Sequence, residues 1–253
     1  MLAWASLDTC RLRFLRAALD DDTATDCGRC DRCTDHTWQR QPDPLVVAAA
    51  QDVLRGGDIV IDPRRQWPTG LAEPKGRIAA DRQAAPGRAL ARLGDGGWNP
   101  VVEPLIEASD AGHDVEVPPS MVHAIAAILK RWEWAERPTW ICPMPSRRRA
   151  SLVDAIADAL GSLGKLPVHR ALATTSTASG GFQADQANSA HQVDNVWHRF
   201  TVDPSGLPPA DVLAGPVLLV DDEVDSRWTM TVAAWQLTRA GTGGVLPFAL
   251  RSR

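Results

Sequence analysis

The sequence predicts an α/β protein made of three consecutive parts, and three observations support this division. Four branched apolar residues in a row, Val217–Val220, predict a strand buried on both faces, as in a parallel sheet. Helix and strand patterns alternate over residues 116–253, which predicts a parallel-sheet domain there. Four of the five cysteines lie in the first 33 residues, which predicts a small helical metal-binding module over 1–40. The segment 41–115 between them is expected to be a short α+β piece.

Composition narrows the class of protein. The chain has 253 residues, of which 44% are apolar and 23% are charged, as in ordinary folded proteins with proper cores. No stretch approaches eighteen consecutive apolar residues, and the N-terminus lacks the layout of a signal peptide. We therefore expect a cytoplasmic protein, in which clustered cysteines bind metal rather than form disulfides.

The cysteine spacing predicts a structural zinc site. Cys10, Cys27, Cys30 and Cys33 form the pattern Cys-x16-Cys-x2-Cys-x2-Cys. Four thiolates at such spacing close a tetrahedral shell around Zn²⁺ and leave no open position for catalysis. The alternative is four unrelated buried thiols, but free cysteines seldom cluster in so polar a segment. Zinc would supply about 10–16 kcal/mol to a piece too small for a core of its own.

This segment resembles a known module. Cys10-Arg11-x-x-x-Leu15 followed by the other three cysteines is similar to the zinc-binding subdomain of RecQ-family DNA helicases, which there follows two motor lobes. The chain has no Gly-x4-Gly-Lys-Ser/Thr phosphate loop and no Asp-Glu-x-His box, so it cannot unwind DNA with ATP by itself. The resemblance implies the C-terminal part of a longer helicase, whose motor lobes are not in this sequence.

The middle segment shows weaker patterns. A short helix is predicted over Leu45–Leu54, a strand over Asp58–Asp62, a second strand near Gly76–Ala79, and helix signals over Pro86–Leu93. A helix, a small hairpin and another helix is the order of a reduced winged-helix or small-barrel module.

The same segment is basic within an acidic chain. The segment from Arg55 to Arg92 contains eight Lys/Arg and four Asp/Glu, so it is positively charged, whereas the whole chain has a net charge of −4. Neutralisation of a DNA backbone needs such a segment. The candidate DNA contacts are Arg64, Arg65, Lys75 and Arg77, with Trp67 and Trp98 placed to stack on unpaired bases. The alternative is a solvated charged face with core tryptophans.

The third part begins after a polar linker, Ser109–Pro119. Ser120 is expected to cap the first helix, and Trp140–Pro145 forms a short buried strand. Ser151 with Asp154 resembles a capping box that opens the next helix, and Val168–Leu172 is a further strand.

The stretch that follows Val217–Val220 carries the chemistry. Asp221 and Asp222 come at the expected strand end, and Thr229 is expected to cap a helix after a turn whose N–H groups hold a phosphate. The pattern resembles the diphosphosugar-binding motif of type I phosphoribosyltransferases. The resemblance implies that the acidic pair holds the ribose hydroxyls of phosphoribosyl diphosphate. It also implies that the 5′-phosphate is cradled by Asp225, Ser226, Arg227, Trp228 and Thr229.

Three positions depart from the motif. Glu223 replaces an apolar residue, Asp225 replaces a hydroxyl residue, and Arg227 replaces a glycine that lets backbone approach phosphate closely. The extra carboxylate is expected to repel phosphate, while Arg227 is able to supply a bidentate contact of its own. The fold is therefore better supported than the activity.

A second loop is expected to face the same ligand, because ligands of parallel α/β folds bind beyond the carboxyl ends of the strands. The stretch Pro143-x-Pro145-x-Arg147-Arg148-Arg149, together with the acidic strand end, resembles phosphoribosyltransferases of the ComF group. The further residues of this resemblance are Gln186, Asn188, Asn195, Val196 and Phe200. It implies that Ser146, Arg147, Arg148 and Arg149 face diphosphate; the alternative is a solvated basic turn. Thr174–Gly181 suits either a hood over the ligand or a surface loop.

A RecQ-type zinc module followed by a phosphoribosyltransferase-like domain resembles the RqlH type of bacterial RecQ-like 3′-to-5′ helicases. This implies a DNA-handling parent protein in replication or repair. Three possibilities remain for the last domain: a catalytically silent binding module, a working transferase that uses phosphoribosyl diphosphate and Mg²⁺, or a scaffold for protein contacts. The loss of glycine at Arg227 favours a silent or altered site.

Overall fold

The computed structural model describes residue 4 and residues 6–34, 42–175 and 189–253. Contacts divide the chain into two compact units, residues 1–50 and 51–253. Among the described residues, no helix combines the length and the apolar character that crossing a membrane requires.

The first unit holds helix α1, Arg11–Ala17, and the start of helix α2, Pro44–Gly56. The helical spacing of Leu12, Leu15 and Leu19 predicts a longer first helix, Trp4–Leu19, that contains Cys10. In the structure Cys10 instead precedes α1 as its N-cap, and its Sγ accepts a hydrogen bond from the backbone N–H of Arg13 at 3.4 Å. Helix α1 buries no side chain, so the leucine spacing that predicts it does not mark a core-facing surface.

The second unit is an α/β fold built on a mostly parallel sheet of five strands. The strands are β1 (Ile59–Ile61), β2 (Gly87–Arg92), β3 (Trp140–Pro143), β6 (Pro216–Val224) and β7 (Gly244–Ser252). Their order is β1-β2-β7-β6-β3, and all neighbours are parallel except β1 with β2. The expected buried strand at Val217–Val220 is confirmed as the centre of β6, and all four residues are fully buried.

The middle segment does not stand apart from this sheet. A boundary is predicted between residues 115 and 116, but β1 and β2 pair directly into the same sheet as β7. The helix predicted over Pro86–Leu93 is wrong, because those residues form β2. Its alanine, leucine and arginine favour helix locally, but hydrogen bonding to strands on both sides overrides that preference. Gly87 also suits this position, since a Cβ there would lie 2.6 Å from the Pro247 carbonyl oxygen.

Helices cover both faces of the sheet. On one face α3 (Asn99–Asp110), α4 (Pro119–Arg131) and α5 (Ala150–Gly164) bury their apolar sides against residues such as Leu218 and Phe248. On the other face lie α6 (Ser189–Trp197), α7 (Ala210–Leu213) and α8 (Trp228–Arg239). This two-sided cover explains why the central strands carry apolar residues at consecutive positions, as in Val217–Val220, rather than at every second one.

Helix starts differ from the predictions in detail. Helix α4 begins after Pro118, so Ser120 lies inside the helix and not at its cap. Helix α5 begins after Arg149, and no side chain makes a capping hydrogen bond, so the predicted box of Ser151 and Asp154 does not form. Asp154 instead accepts a hydrogen bond from Arg170.

A small second sheet stands beside the main one. Strand β4, Leu172–Thr174, pairs antiparallel with β5, Phe200–Val202. The predicted strand Val168–Leu172 meets the main sheet only through a single bridge between Ile141 and Val168. Residues 176–188 lie outside the described residues, and they include most of the predicted hood, Thr174–Gly181, together with Gln186 and Asn188.

Candidate functional site

The four cysteines of the first unit lie together. The Sγ atoms of Cys10, Cys27, Cys30 and Cys33 are all within 4.8 Å of one another. Three of these separations are 4.0 Å (Cys27 to Cys33), 4.0 Å (Cys10 to Cys30) and 3.5 Å (Cys30 to Cys33). A tetrahedral ion with metal–sulfur bonds of about 2.3 Å sets its sulfurs about 3.8 Å apart. The cluster therefore fits a metal ion and is compatible with structural zinc.

Two backbone segments build this cluster. Cys10 comes from the start of α1, whereas the other three come from a turn in which the N–H of Cys33 donates to the carbonyl of Cys30 at 2.9 Å. Gly28, between the second and third ligands, has a φ of +67°, a conformation that glycine adopts without steric cost. The backbone N–H of Cys27 donates to the Cys10 Sγ at 3.2 Å and links the two segments.

The thiols have opposite tendencies to ionise. Backbone N–H groups, first that of Arg13 and then that of Cys27, lower the pKa of Cys10 to about 6. Desolvation raises the pKa of Cys33 to about 12, and hydrogen bonds that its neutral thiol donates to the Cys10 and Cys30 sulfurs add to this rise. Such divergence is expected of crowded sulfurs, because four neighbouring thiolates repel one another unless a cation lies between them.

An arginine fixes the two segments to each other. Arg11 makes a bidentate pair with Asp31, with Nε–Oδ1 at 2.7 Å and Nη2–Oδ2 at 2.9 Å. Its Nη1 also donates to the carbonyl of Trp4 at 2.6 Å. Asp31 carries no pattern that singles it out in the sequence, because a carboxylate between two cysteines is as often solvated as paired.

The second site lies at the acidic end of β6. The sequence predicts that the strand ends at the acidic pair. In the structure it continues to Val224. Asp221 is only 6% exposed, and its Oδ1 accepts the backbone N–H of Asp222 at 2.9 Å. Asp222 in turn accepts the N–H of Glu223 at 2.8 Å through its Oδ1. The pair is thus held by the backbone inside the sheet edge.

Arg149 joins three elements at this point. Its Nη1 donates to Asp222 Oδ2 at 3.0 Å, while its Nε and Nη2 donate to Asp110 Oδ1 at 2.8 Å and Oδ2 at 2.6 Å. The hydrogen bonds from Arg149 hold the pKa of Asp110 below its ordinary value. The end of α3, the start of α5 and the acidic end of β6 are thereby tied together. Asp110 is a residue that sequence reasoning missed, because it lies in the predicted linker.

The acidic pair does not fit Mg²⁺. Burial, followed by the charge of Asp222, raises the pKa of Asp221 well above its ordinary value, which favours the neutral carboxyl. Both Asp222 oxygens already accept hydrogen bonds, one of them from a guanidinium. Mg²⁺ is usually bound through one or two carboxylates and keeps several waters in a near-octahedral shell. A buried Asp221 beside a carboxylate that is already paired with Arg149 does not provide that set.

The turn after β6 retains a glycine-like backbone. Arg227, at the position where the related motif has glycine, has a φ of +70° and is the N-cap of α8. It makes no capping hydrogen bond through its side chain, and the predicted cap Thr229 lies within the helix. The conformation suited to close approach of backbone to an anion is therefore kept although the residue has changed.

Arg64 supports this turn from the middle segment. Its Nε and Nη2 donate to the carbonyl of Ser226 at 3.2 Å and 2.9 Å, and its guanidinium lies 4.7 Å from the ring centre of Trp228. Burial and the nearby Arg227 lower its pKa. Sequence reasoning assigned Arg64 to DNA, and no local pattern indicates a partner so far along the chain.

Glu223 is paired with two arginines, Arg251 and Arg253. It accepts hydrogen bonds from Arg251 and, at 2.7 Å, from Nε of Arg253. Glu223 and Arg251 face each other across the β6–β7 pairing. The charge of the Glu223 carboxylate is therefore offset by two guanidinium groups.

The rest of the basic loop lies near Arg149. Ser146 Oγ accepts the backbone N–H of Arg149 at 3.0 Å, and Arg147 donates to the carbonyl of Thr175 at 3.3 Å. Arg147 and Arg148 are exposed, as is Asp225 in the opposite turn.

The remaining candidate DNA contacts lie on a short hairpin. The backbone N–H of Trp67 donates to the carbonyl of Gly76, and Gln66 bridges Arg77. Arg65, Lys75 and Arg77 are all exposed.

Neither tryptophan offers an open stacking face of the kind that base stacking requires. Trp67 is 6% exposed and stacks on Trp228, with ring centres 6.2 Å apart. Trp98 is half-buried under the guanidinium of Arg55, 4.8 Å from its ring centre. The base-stacking prediction is therefore wrong for Trp67, whose ring belongs to the core.

Comparison with known proteins adds no assignment: no protein-family model matches the chain, and no curated protein matches it.

Proposed function

We propose that residues 51–253 bind a phosphorylated ribose compound, such as phosphoribosyl diphosphate, as a binding module without transferase activity. We further propose that the chain is the C-terminal accessory region of a RecQ-like DNA helicase, with zinc in its first unit. The helicase motor lobes and DNA are the expected partners.

The contact between Arg149 and Asp222 carries the first proposal. Arg149 follows β3, and Asp222 belongs to β6, the strand beside it. The basic loop and the acidic strand end thus meet at the carboxyl edge of a parallel sheet, where ligands of such folds bind. A cationic rim next to hydroxyl acceptors suits a ligand that carries both phosphate and a sugar diol.

The helix start supplies the anion-binding part. The first backbone N–H groups of α8 have no acceptor within the helix, and the positive end of the helix dipole lies at the same place. Arg227 and Arg64 add two guanidinium groups there. A phosphate at the turn from Asp225 to Thr229 would be met by backbone donors and by positive charge.

The acidic pair suits binding better than transfer. The oxygens of Asp222 are acceptors for ligand hydroxyls, and the raised pKa of Asp221 favours a carboxyl form that both donates and accepts. A transferase that depends on Mg²⁺ would need carboxylate oxygens open to the ion, whereas Asp221 is buried and Asp222 is paired with Arg149. This difference favours the silent module over the alternative of an active phosphoribosyltransferase.

Zinc and DNA enter through the resemblance to the RecQ zinc module. The sulfur separations in the cluster of Cys10, Cys27, Cys30 and Cys33 support Zn²⁺, which prefers four thiolates at tetrahedral positions. The exposed Lys75 and Arg77 support contact with a phosphate backbone.

Titration calorimetry of the zinc-loaded protein with phosphoribosyl diphosphate tests the first proposal. We expect measurable binding that is abolished in the double variant Asp221→Asn/Asp222→Asn, and no conversion of the ligand. The matched control is Asp154→Asn/Asp158→Asn, which removes two carboxylates of α5 that pair with Arg170. Absence of heat in the unmodified protein would reject the proposal, and turnover of the ligand would favour the active enzyme.

A further inference from the structure

Arg149 is held in a more enclosed position than the other arginines of its helix neighbourhood. Its side chain is 17% exposed and that of Asp222 is 13% exposed. On the same helix Asp154 and Asp158 pair with Arg170, which is 51% exposed. Both arginines bridge two aspartates, but only Arg149 does so in a protected site. Because the pair of Arg149 and Asp222 is enclosed, salt screens its attraction only weakly, and the guanidinium stays beside the carboxylate.

The position of Arg149 is the one that a divalent cation would need. Its Nη1 lies 3.0 Å from Asp222 Oδ2, and the other Asp222 oxygen accepts the N–H of Glu223. A cation placed against the same carboxylate would meet a guanidinium already there and would be repelled by it. Asp110 holds the far side of the guanidinium through two hydrogen bonds, which prevents it from turning away.

The charges that face Asp222 are therefore balanced within the protein. Arg149 comes from the start of α5 and Asp110 from the end of α3, while Asp221 precedes Asp222 on β6. Arg148 and Arg251 add positive charge near Asp110. No metal is required for an anionic ligand to approach this edge, because the protein supplies the positive charge itself.

We propose that Arg149 takes the place of a divalent cation at this site, as a positioning residue, so that the phosphorylated ribose binds without Mg²⁺. The inference rests on the proposed function and adds to it the independence from metal. Arg149 orients the Asp222 carboxylate and neutralises it, and the ligand hydroxyls then bind to an acceptor of fixed direction.

Calorimetry in buffer cleared of divalent ions by a chelating resin, with and without added Mg²⁺, tests the inference on the zinc-loaded protein. The probes are phosphoribosyl diphosphate and ribose 5-phosphate, the second because a monophosphate chelates Mg²⁺ more weakly in solution. We expect affinities that agree within about twofold in the two buffers. In Arg149→Gln we expect a loss of about tenfold or more without Mg²⁺, with recovery when Mg²⁺ is added.

Two variants separate this role from a structural one. Arg149→Lys keeps a positive charge and should retain binding without Mg²⁺. Arg170→Gln removes an arginine that pairs with two aspartates of α5, and it should leave the affinity unchanged both with and without Mg²⁺. Mn²⁺ titration followed by electron paramagnetic resonance gives a readout that needs no organic ligand. We expect a new Mn²⁺ site in Arg149→Gln that disappears in Arg149→Gln/Asp222→Asn.

The outcomes distinguish the two proposals. Binding that requires Mg²⁺ in the unmodified protein would overturn the inference and leave the proposed function standing. No binding of either probe in any buffer would overturn both. Should Arg149→Gln fail to fold, Arg149→Lys provides the test: it keeps a positive charge beside Asp222 and should preserve binding without Mg²⁺, so a requirement for Mg²⁺ in that variant would contradict the inference.

Discussion

Arg64 donates two hydrogen bonds to the backbone carbonyl of Ser226, which lies 162 residues further along the chain. The contact ties the segment after β1 to the turn at the start of α8. The guanidinium of Arg64 is half-buried and hydrogen-bonded within the protein, so the basic residues of the middle segment serve two purposes. Part of it shapes the turn, and the exposed part is left for an external partner.

We therefore expect DNA binding to depend on Lys75 and Arg77. Charge reversal of both should weaken binding to single-stranded DNA and reduce the salt slope of log affinity by about 1.4, because two phosphate contacts are lost. Fluorescence anisotropy over a series of salt concentrations measures both quantities.

The control for this test is Lys130→Glu, an exposed charge reversal on α4. It should lower affinity less and leave the slope nearly unchanged. An unaltered slope in the Lys75/Arg77 variant would remove the hairpin from the DNA contact.

The metal cluster predicts one tightly bound zinc per chain. Cys27→Ala should abolish stoichiometric zinc, because three thiolates no longer close the shell, and a structural zinc of this kind contributes about 10–16 kcal/mol. Elemental analysis after gel filtration measures the content. The fifth cysteine, Cys142, is buried in β3 and is the matched control: Cys142→Ala should keep its zinc.

The backbone of Arg227 predicts an order of stabilities. Arg227→Ala and Arg227→Gly remove the same side-chain contacts, but alanine retains the steric cost of a φ of +70°. We expect the glycine variant to be more stable than the alanine variant by about 1 kcal/mol, after allowing for the greater freedom of glycine in the unfolded chain. Urea unfolding monitored by tryptophan fluorescence measures the difference. Equal stabilities would show that this turn relaxes when the side chain is removed.

The pair of Asp110 and Arg149 predicts a dependence on pH. The guanidinium lowers the pKa of Asp110 in the folded protein, so the stabilisation is present above the unfolded pKa of about 3.9. It is lost as pH falls through the lower folded pKa. Asp110→Asn should therefore cost about 0.5 kcal/mol at neutral pH, a modest value because the carboxylate is partly exposed, and nothing below the folded pKa. Paired unfolding curves at several pH values test this. A difference that persists in acid would have another cause.

Local patterns predicted what depends on short stretches of chain. The apolar run Val217–Val220 became the centre of β6 because only a strand covered on both faces buries four such residues in succession. The cluster of four sulfurs was predictable from the cysteine spacing, because a metal shell depends on few residues and on no distant packing.

Distant pairing was not predictable in the same way. Strand β2 carries a sequence of good helix formers, and only its neighbours β1 and β7 make it extended. The partners of Arg149 and Arg64 likewise come from other elements of the fold. No periodicity in one segment specifies a partner on another, so these contacts are visible only in the folded structure.

The pairing of β2 with β7 has a consequence for the integrity of the fold. A polypeptide that began at residue 116 would lack β1 and β2 and would leave the β7 backbone from Phe248 to Ser252 without its neighbour. Bare strand edges recruit strands from other molecules, so such a fragment would self-associate. Strands β1 and β2 therefore also protect the edge of β7 and prevent aggregation of the later half of the chain.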